Sequence, residues 1–388
     1  MSADRDALNT LRYLALRRFT AACELTCRGV GIPVVSELDA VEYAGSGMSF
    51  RPKARALRSR RLWRELFNRF SMAQGGGTMR KTKAQLPSLA NSLLDEIGEE
   101  LRECRHVARG ATCDVWKLVS DRHSYALKVF RDADRTPNLA LDAFLRREVA
   151  DRSGLVVVPI LSAERLKGVA DETIWILEPY IDGIHPPRGE LTGATCKRLG
   201  ETLAALHSIP TRSFGRPSEL SSQRIVGSKA NAFDGVSQRF ENPLPETWDD
   251  SYTHPVLVEL ADQSDKILDL LGEVSDQVRQ SEAVVCHSDL HERQLICSEG
   301  NLVALLDFGD AVIADRHWDL GSVRYFHGDG ISSAVCRAYL SAGGSGVCSD
   351  RLFRAFSVAI AMHHASRSRL PGKTHRWARA VQFIRDTV

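Results

Sequence analysis

The stretch CHSDLHERQ at residues 286–294, followed by LLDFGD at residues 305–310, decides how this 388-residue chain is interpreted. It places two carboxylates, Asp289 and Asp307, 18 residues apart, each after a short apolar run typical of a strand, at residues 283–286 and 302–306. Phosphoryl transfer from a nucleotide needs two such groups. One orients and deprotonates the attacking hydroxyl, and the other holds Mg²⁺ at the phosphates. The stretch therefore predicts phosphoryl-transfer chemistry.

The two segments resemble the H-x-D-x-x-x-x-N and D-F-G motifs that protein kinases share with small-molecule kinases. The form H-S-D-L-H, with Asp315 and Asp319 following D-F-G-D, is similar to the aminoglycoside phosphotransferase family. Protein kinases usually have Arg before the catalytic Asp and Lys two residues after it, where this chain has Ser288 and His291. The resemblance covers about residues 100–340. It implies an α+β, protein-kinase-like two-lobed fold, with a small β-rich N-lobe and a larger, mostly helical C-lobe.

The resemblance also implies roles in the catalytic loop. Asp289 would be the catalytic base and Asp307 a Mg²⁺ ligand. Gln294 stands where the family usually has Asn as the second metal ligand, and its amide oxygen is carried on a stem one methylene longer. An accommodated Gln, a weaker metal site and a degenerate enzyme are all open, and the other motif residues favour the first. His287 is expected to brace the loop, and His291 to pack in it or contact substrate.

Three acidic residues are expected to support the loop: Asp310 near the metal, Asp315 capping a helix, and Asp319 bonding back to the catalytic loop.

Features before the catalytic loop are expected to hold ATP. A turn with Gly110 could place N–H groups over phosphate oxygens, although one glycine suits a plain hairpin turn equally well. Lys128 resembles the kinase lysine that pairs with the phosphates, and Glu148, on a predicted helix, the carboxylate that holds this lysine. Adenine would be read by backbone groups of the hinge: the Glu178 carbonyl and the N–H of Tyr180 or Ile181.

Three segments are expected. Residues 1–78 read as a basic extension that could be disordered or non-native, because natural translation could start at Met79. Its amphipathic stretch at 51–69 could instead lie on an anionic membrane or bind RNA. Residues 79–182 would form the N-lobe and residues 183–388 the C-lobe. Hydrophobic spacing predicts helices over 88–103, 139–152 and 199–207, and strands over 106–118, 124–130, 156–161 and 173–180.

Composition limits the functional classes. Hydrophobic residues make up 43% of the chain and charged residues 26%, and no apolar run is long enough to span a bilayer. Nine cysteines without a C-x-x-C pair suit free thiols in the cytoplasm. Residues 1–83 carry 16 Lys/Arg against 7 Asp/Glu, and the remainder 35 against 42, so charge does not predict a nucleic-acid partner.

The acceptor is not determined by the sequence. Residues 241–282 carry 11 acidic residues, which would attract a polycation such as an aminoglycoside if they were not simply solvated. Residues 324–388 carry ten Lys/Arg against three Asp/Glu, which would suit a neutral or anionic acceptor. A small-molecule hydroxyl is the leading prediction. A protein- or lipid-directed kinase and a catalytically weak nucleotide-binding module are the alternatives.

Overall fold

The computed structural model describes residues 78–110, 113–130, 139–155, 162–166, 173–221, 224–346, 349–370 and 372–388. The basic extension predicted before Met79 lies almost entirely outside these residues, as does the strand predicted at 156–161. The chain divides into two compact units, one drawn from Met1–Arg135 with Ile160–Tyr180 and the other from Thr136–Pro159 with Ile181–Val388.

The first unit is a helix and an antiparallel five-stranded sheet in the order β1-β2-β3-β5-β4. Its elements are α1 (Thr78–Ile97), β1 (Leu101–Arg109), β2 (Cys113–Ser120), β3 (Ser124–Phe130), β4 (Ser162–Leu166) and β5 (Thr173–Pro179). Leu89, Leu93 and Leu94 of α1 share one buried cluster with Leu127 and Trp175 of the sheet. The spacing that predicted a helix therefore describes the face that packs in this cluster.

Element boundaries in this unit differ from the prediction. The helix predicted over 88–103 begins earlier, at Thr78, and ends at Ile97, because Gly98 adopts a φ of +77° that an α-helix cannot continue. The strand pattern predicted over 106–118, with a turn at Gly110, is confirmed as the hairpin of β1 and β2, although β1 begins earlier, at Leu101. The strands at 124–130 and 173–180 are confirmed to within one residue.

The second unit is built mainly of helices. These are α2 (Leu139–Ser153), α3 (Gly193–His207), α4 (Ala232–Ser237), α5 (Pro255–Glu259), α6 (Ser264–Gln280), α7 (His317–His327), α8 (Asp329–Ser341), α9 (Asp350–Ser366) and α10 (His375–Thr387). Its strands are β6 (Thr211–Arg212), β7 (Phe214–Ser221), β8 (Arg224–Lys229), β9 (Val284–Cys286), β10 (Leu295–Ser298), β11 (Asn301–Leu305) and β12 (Val312–Ala314).

Helix α2 belongs to the second unit, although we expected it in the N-lobe. Its buried Leu145 and Val149 lie in one cluster with Leu199 and Leu203 of α3. These contacts explain the grouping, because apolar area removed from water is the main stabilising term in packing. The predicted span of α2 itself is confirmed, as is the helix at 199–207, which forms the second half of α3.

A second five-stranded sheet, in the order β6-β8-β7-β12-β9, was not expected in a lobe predicted to be mostly helical. Strands β7 and β8 carry Arg216, Glu219 and Arg224, so they lack the apolar alternation that identifies a half-buried strand. This sheet positions the chemistry, because β9 ends at Cys286, directly before the catalytic loop. Among the described residues, no helix is both long and apolar enough to cross a membrane.

Candidate active site

A hairpin brings the two predicted carboxylate loops together. The loop at 287–294 leads into β10, β10 pairs antiparallel with β11, and β11 leads into Asp307. Leu295 is paired with Leu305, and the Leu306 N–H donates to the Gln294 carbonyl at 2.9 Å. The 18-residue spacing of the motif is thus the length of one loop and one tight hairpin.

Both loops hold a non-glycine residue in the left-handed region. Ser288 has φ +68°, and Asp307 has φ +62° and ψ +67°. Such conformations cost about 1–3 kcal/mol each, and they persist only where surrounding contacts impose them. At Ser288 the contacts are clear. Arg239 Nε donates to Ser288 Oγ at 2.7 Å, and Ser288 Oγ donates to the Asp310 carbonyl at 2.8 Å.

Asp319 of α7 holds the catalytic loop by two hydrogen bonds to its backbone. Its Oδ2 accepts the His287 N–H at 2.8 Å, and its Oδ1 accepts the Ser288 N–H at 2.7 Å. The carboxylate is fully buried, and His207 Nε2 lies 3.2 Å from its Oδ2. The prediction that Asp319 bonds back to the catalytic loop is confirmed. We call the loops at 287–294 and 306–310, together with Asp319, the catalytic floor.

His287 joins the two loops of the floor. Its Nε2 donates to the Leu306 carbonyl at 2.7 Å, and its Nδ1 lies 3.4 Å from the Asp289 N–H. The ring packs edge-on against Phe308 of D-F-G at 5.1 Å between centroids. The bracing role predicted for His287 is confirmed.

The remaining acidic residues of the motif have structural partners. Asp315 Oδ1 accepts the His317 N–H at 2.8 Å, so it caps the start of α7 from one residue before the formal cap position. Asp310 was expected near the metal, and that expectation stays a prediction. Its side chain lies 3.7 Å from both Arg239 and Arg216, and the pKa of Asp310 is lowered, chiefly by Arg239.

Asp289 is within reach of a substrate. Its side chain is 23% exposed, and its Oδ2 lies 3.6 Å from His291 Nε2. Burial lowers the pKa of His291, although Asp289 opposes this effect. The His291 Nδ1 accepts the Arg293 N–H at 3.1 Å, so the neutral ring carries its proton on Nε2, the nitrogen that faces Asp289 and Gln294.

Gln294 and Asp307 fit a magnesium ion. The Gln294 side chain is buried, and its Nε2 lies 3.4 Å from Asp307 Oδ2 and 3.4 Å from His291 Nε2. Turning the amide end over would present its oxygen to both neighbours. That oxygen would accept the His291 proton and, beside the Asp307 carboxylate, supply the hard oxygen ligands that Mg²⁺ prefers. The longer stem of Gln therefore still reaches Asp307.

Lys128 has a partner that we did not predict. Its Nζ lies 2.5 Å from Glu178 Oε1, because the two residues are diagonal neighbours on one face of the β3–β5 pair. The Glu178 side chain is buried, whereas the prediction used only its carbonyl. The contact described for Glu148 is an ion pair with Arg152, one turn along α2, at 3.3 Å. The sequence did carry one signal for this ion pair, because Glu178 is a single charged residue directly after the apolar run at 174–177.

The predicted hinge groups are partly engaged in the sheet. The Tyr180 N–H donates to the Ser124 carbonyl at 2.9 Å, which corrects its predicted role as an adenine-binding donor. Hydrogen-bonded pairs alternate along an antiparallel ladder, so the backbone of Glu178 is also hydrogen-bonded to that of its partner Ala126. The Glu178 carbonyl that was predicted to bind adenine is therefore part of the sheet ladder. Within the described residues the Ile181 N–H makes no hydrogen bond, so Ile181 stays the candidate donor.

Gly110 lies in the turn between β1 and β2. Its N–H donates to the Cys113 carbonyl at 2.8 Å, the bond of a hairpin turn. Residues 111–112 of the predicted phosphate loop lie outside the described residues.

One buried cluster contains residue types that often bind metal ions, but its side chains make hydrogen bonds that support the loop. The ligand atoms of His207, Cys286 and Asp319 all lie within 4.8 Å of one another. Burial raises the pKa of Cys286 well above its usual value, and its thiol donates to the Asp315 carbonyl at 3.2 Å. Both Asp319 oxygens accept backbone N–H groups. A protonated thiol and a saturated carboxylate are poor ligands, so this cluster supports the loop.

Comparison with solved structures shows a shared fold. Aminoglycoside phosphotransferase APH(4)-Ia aligns with a TM-score of 0.55 at 14% identity, over 79% of this chain and 98% of that chain. Macrolide 2'-phosphotransferase MphH from Brachybacterium faecium aligns with a TM-score of 0.50 at 16% identity, over 78% and 98%. A putative fructosamine-3-kinase from Haemophilus somnus aligns with a TM-score of 0.50 at 11% identity, over 77% and 96%.

No curated protein matches the sequence. A model of the phosphotransferase enzyme family, APH, matches residues 103–355, which is more than half of the chain and includes every predicted site residue. The described residues of that span hold most of the five-stranded sheet of the first unit and the whole catalytic floor. The two-lobed, kinase-like fold expected from the motifs is confirmed, and the chain belongs to the APH phosphotransferase enzyme family.

Proposed function

We propose that this chain transfers the γ-phosphate of ATP to a hydroxyl group of a small molecule, with Mg²⁺ as the required ion. The observation that carries the proposal is the catalytic floor. Two carboxylate loops are joined by one hairpin, and the loop with Asp289 is held by the buried Asp319. Phosphoryl transfer depends mostly on positioning and on charge stabilisation, which a rigid floor supplies.

In this mechanism Asp289 accepts a hydrogen bond from the acceptor hydroxyl and takes its proton as the oxygen attacks the phosphorus. The His291 ring, with Nε2 3.6 Å from Asp289 Oδ2, would pack beside the carboxylate while donating its proton to the Gln294 oxygen. The oxygens of Asp307 and Gln294 would hold Mg²⁺, which when bound neutralises phosphate charge. The transfer is direct and in line: as the acceptor oxygen bonds to the γ-phosphorus, the bond from that phosphorus to the bridging oxygen breaks and ADP leaves.

The nucleotide-binding roles rest on separate observations. The Lys128–Glu178 pair keeps an ammonium fixed on β3, suited to phosphate oxygens. Ile181 would contribute a backbone donor for adenine, and the Gly110 turn would lie over the phosphates. Glu148 stays a weaker candidate, since its described partner is Arg152.

The acceptor class is open at this level. The APH(4)-Ia structures include one described as a ternary complex with ADP and hygromycin B, and MphH is described as a macrolide phosphotransferase. These relatives make an antibiotic one candidate acceptor. The acidic stretch at 241–282 could attract an aminoglycoside. It presents Asp262, Asp265 and Asp269 to solvent, and Glu273 of α6 is paired with Arg351. We also propose that the protein acts in the cytoplasm, where ATP is available; the six described cysteines are free thiols.

The proposal is tested by a coupled ADP-release assay with ATP and Mg²⁺ over aminoglycosides, macrolides, sugars, sugar acids and amino alcohols. We expect ADP release that requires both an acceptor and Mg²⁺. Nucleotide binding without turnover on any acceptor would contradict the proposal and favour a regulatory module. Radioactive phosphate appearing on protein or liposomes instead would favour the protein- or lipid-directed alternative.

A further inference from the structure

Four half-buried basic side chains gather where α9 gives way to α10. They span 13 residues, and the chain between them is tightly turned, since the Lys373 N–H donates to the Leu370 carbonyl at 3.0 Å and the Arg376 N–H to the Lys373 carbonyl at 2.9 Å. We call this cluster the basic wall: Arg367, Lys373, Arg376 and Arg379. Burial lowers the pKa of Lys373 and of Arg376, and repulsion from the other cations lowers both further.

The wall differs from its surroundings in its ion pairs. Within the part of the chain that the structure describes, none of its four side chains forms an ion pair with a carboxylate. The neighbouring Arg369, which is exposed, does have one in Glu241. Arg376 contacts a neutral acceptor, with Nη1 3.1 Å from His364 Nδ1. Unpaired cations that are partly withdrawn from water cost free energy unless a ligand neutralises them.

Arg379 shows most clearly that the wall has more hydrogen-bond donors than acceptors. Its Nε and Nη2 are buried and make no hydrogen bond with any described residue. The guanidinium lies over the rings of Tyr325 and Phe326, 5.3 and 5.2 Å from their centroids. Ring faces attract a cation but accept no conventional hydrogen bond, so the donors of Arg379 lack an acceptor such as a carboxylate or phosphate oxygen.

The wall lies beside the catalytic base. The Phe326 ring under Arg379 is 5.6 Å from the ring of His291, which is 3.6 Å from Asp289. Asp289 also acts on Lys373 and Arg376 electrostatically, because its charge opposes the lowering of both pKa values. Arg367 also lowers the pKa of Asp310, but that carboxylate already lies 3.7 Å from Arg216 and from Arg239. Asp289, which must stay available for chemistry, and this shared Asp310 do not balance four cations.

We propose that the basic wall binds an anionic group, a carboxylate or a phosphate, on the same acceptor molecule whose hydroxyl Asp289 activates. The inference rests on the proposed function and narrows its substrate class. A polycationic acceptor would be repelled by the wall, whereas an anion bound beside Lys373 and Arg376 would relieve the mutual repulsion of the cluster. Sugar acids and sugar phosphates carry a hydroxyl and an anion within one small molecule.

The binding part of the inference can be tested without turnover. Thermal unfolding is followed with millimolar inorganic phosphate against chloride at matched ionic strength. A ligand that binds only the folded state raises the unfolding midpoint. We expect phosphate to raise the midpoint of the wild type and of Lys266→Met, an exposed lysine on α6, but not of Lys373→Met/Arg376→Met. Equal rises in all three proteins, or no rise in the wild type, would overturn the inference.

The catalytic part uses the best acceptor from a panel containing glucose, glucuronate, glucose 6-phosphate and hygromycin B. We expect one of the two anionic sugars to lead, which also separates a carboxylate from a phosphate. Lys373→Met/Arg376→Met should raise the KM for that acceptor about 10- to 100-fold, as expected for losing charge-assisted hydrogen bonds. The kcat and the KM for ATP should stay nearly unchanged.

The outcomes separate the two proposals. Turnover of hygromycin B or glucose that the double substitution leaves unchanged would overturn the anion site and keep the phosphotransferase. A raised KM for ATP alone would assign the wall to the nucleotide and overturn the inference. If no acceptor turns over, the proposed function fails, and the unfolding experiment still decides whether the wall binds anions.

Discussion

The catalytic floor and the basic wall lie in the same unit but treat buried polar groups in opposite ways. In the floor, both oxygens of Asp319 accept backbone N–H groups. The side chains of Ser288 and His287 each donate to a carbonyl of the other loop. In the wall, two buried donors of Arg379 make no hydrogen bond with any residue that the structure describes. A network satisfied within the chain fixes geometry, whereas one left unsatisfied is a place where a ligand can gain affinity.

Asp307→Asn should break the floor with the largest effect. The change removes one negative charge from the proposed magnesium ligand and keeps its shape. Turnover should fall at least about 100-fold, the scale seen when one preorganised charge-stabilising group is lost. Mg²⁺-dependent binding of AMP-PNP, measured by calorimetry, should weaken in parallel. Asp276→Asn, an exposed change on α6, should leave both values unchanged. Full turnover of Asp307→Asn would contradict the metal assignment.

Asp319→Asn should loosen the floor without touching substrate. The amide offers one acceptor oxygen where the carboxylate offers two, so one buried backbone N–H of His287 or Ser288 loses its partner. We expect a loss of about 2–4 kcal/mol in the free energy of unfolding, measured in urea, with reduced turnover. Exposed Asp262→Asn should change stability by less than about 0.5 kcal/mol. Unchanged stability in Asp319→Asn would show that the floor is not held from α7.

The pH dependence of folding should report the buried imidazoles behind the floor. Burial lowers the pKa of His254 to about 4 from an ordinary value of 6.5. The folded state therefore favours neutral His254, and stability is lost as the pH falls below about 6.5, with about 3 kcal/mol lost near pH 4. Burial also lowers the pKa values of His363 and His364, which adds loss of the same sign.

His254→Asn isolates this contribution. An Asn can keep the cap that His254 Nδ1 provides to the Val256 N–H, and it does not titrate. Between pH 7 and 4 the variant should lose about 3 kcal/mol less than the wild type in urea unfolding. The exposed His375→Asn should follow the wild type. Identical pH profiles for His254→Asn and the wild type would exclude His254 as a source of acid sensitivity.

Glu178→Gln extends the comparison to the β-sheet unit. Glu178 is buried and Lys128 is 18% exposed, so removal of the carboxylate leaves an ammonium with reduced access to water. Partial exposure limits the effect to about 1–3 kcal/mol of unfolding free energy. Bound Mg·AMP-PNP should restore part of the loss, because its phosphates would pair with Lys128. No restoration by the nucleotide would count against a phosphate-binding role for Lys128.

Ser288 gives the smallest and sharpest test of strain in the floor. Ser288→Ala loses the hydroxyl contacts with Arg239 and Asp310 and keeps the Cβ at φ +68°. Ser288→Gly loses the same contacts and removes the conformational cost. The glycine variant should therefore be more stable than the alanine variant by about 1 kcal/mol in urea unfolding. The reverse order would mean that this backbone conformation is not strained.

Local signals in the sequence predicted the floor well. The role of Asp319 followed from the family resemblance of the residues after D-F-G-D, and that of His287 from its place in the catalytic-loop motif. Arg239 lies 49 residues before Ser288 in the sequence, and nothing local marked it as the residue that holds the loop.

The features that the sequence did not predict depend on contacts between segments that are distant along the chain. Strands β7 and β8 lack apolar alternation, and Glu178 looked like one polar residue in a strand until the register placed it beside Lys128. For the wall, composition gave the sign of the charge at 324–388, but only the fold shows that four of those cations form no ion pair with a described carboxylate.

The central claim is that the floor presents Asp289 as the base for an acceptor hydroxyl. Single-turnover transfer of labelled γ-phosphate, compared between the wild type and Asp289→Asn with the best acceptor, tests it most directly. Asp289→Asn should bind Mg·AMP-PNP as the wild type does, unfold at a similar urea concentration, and transfer phosphate about 100- to 10,000-fold more slowly. Transfer at the wild-type rate by a folded Asp289→Asn variant would contradict the account.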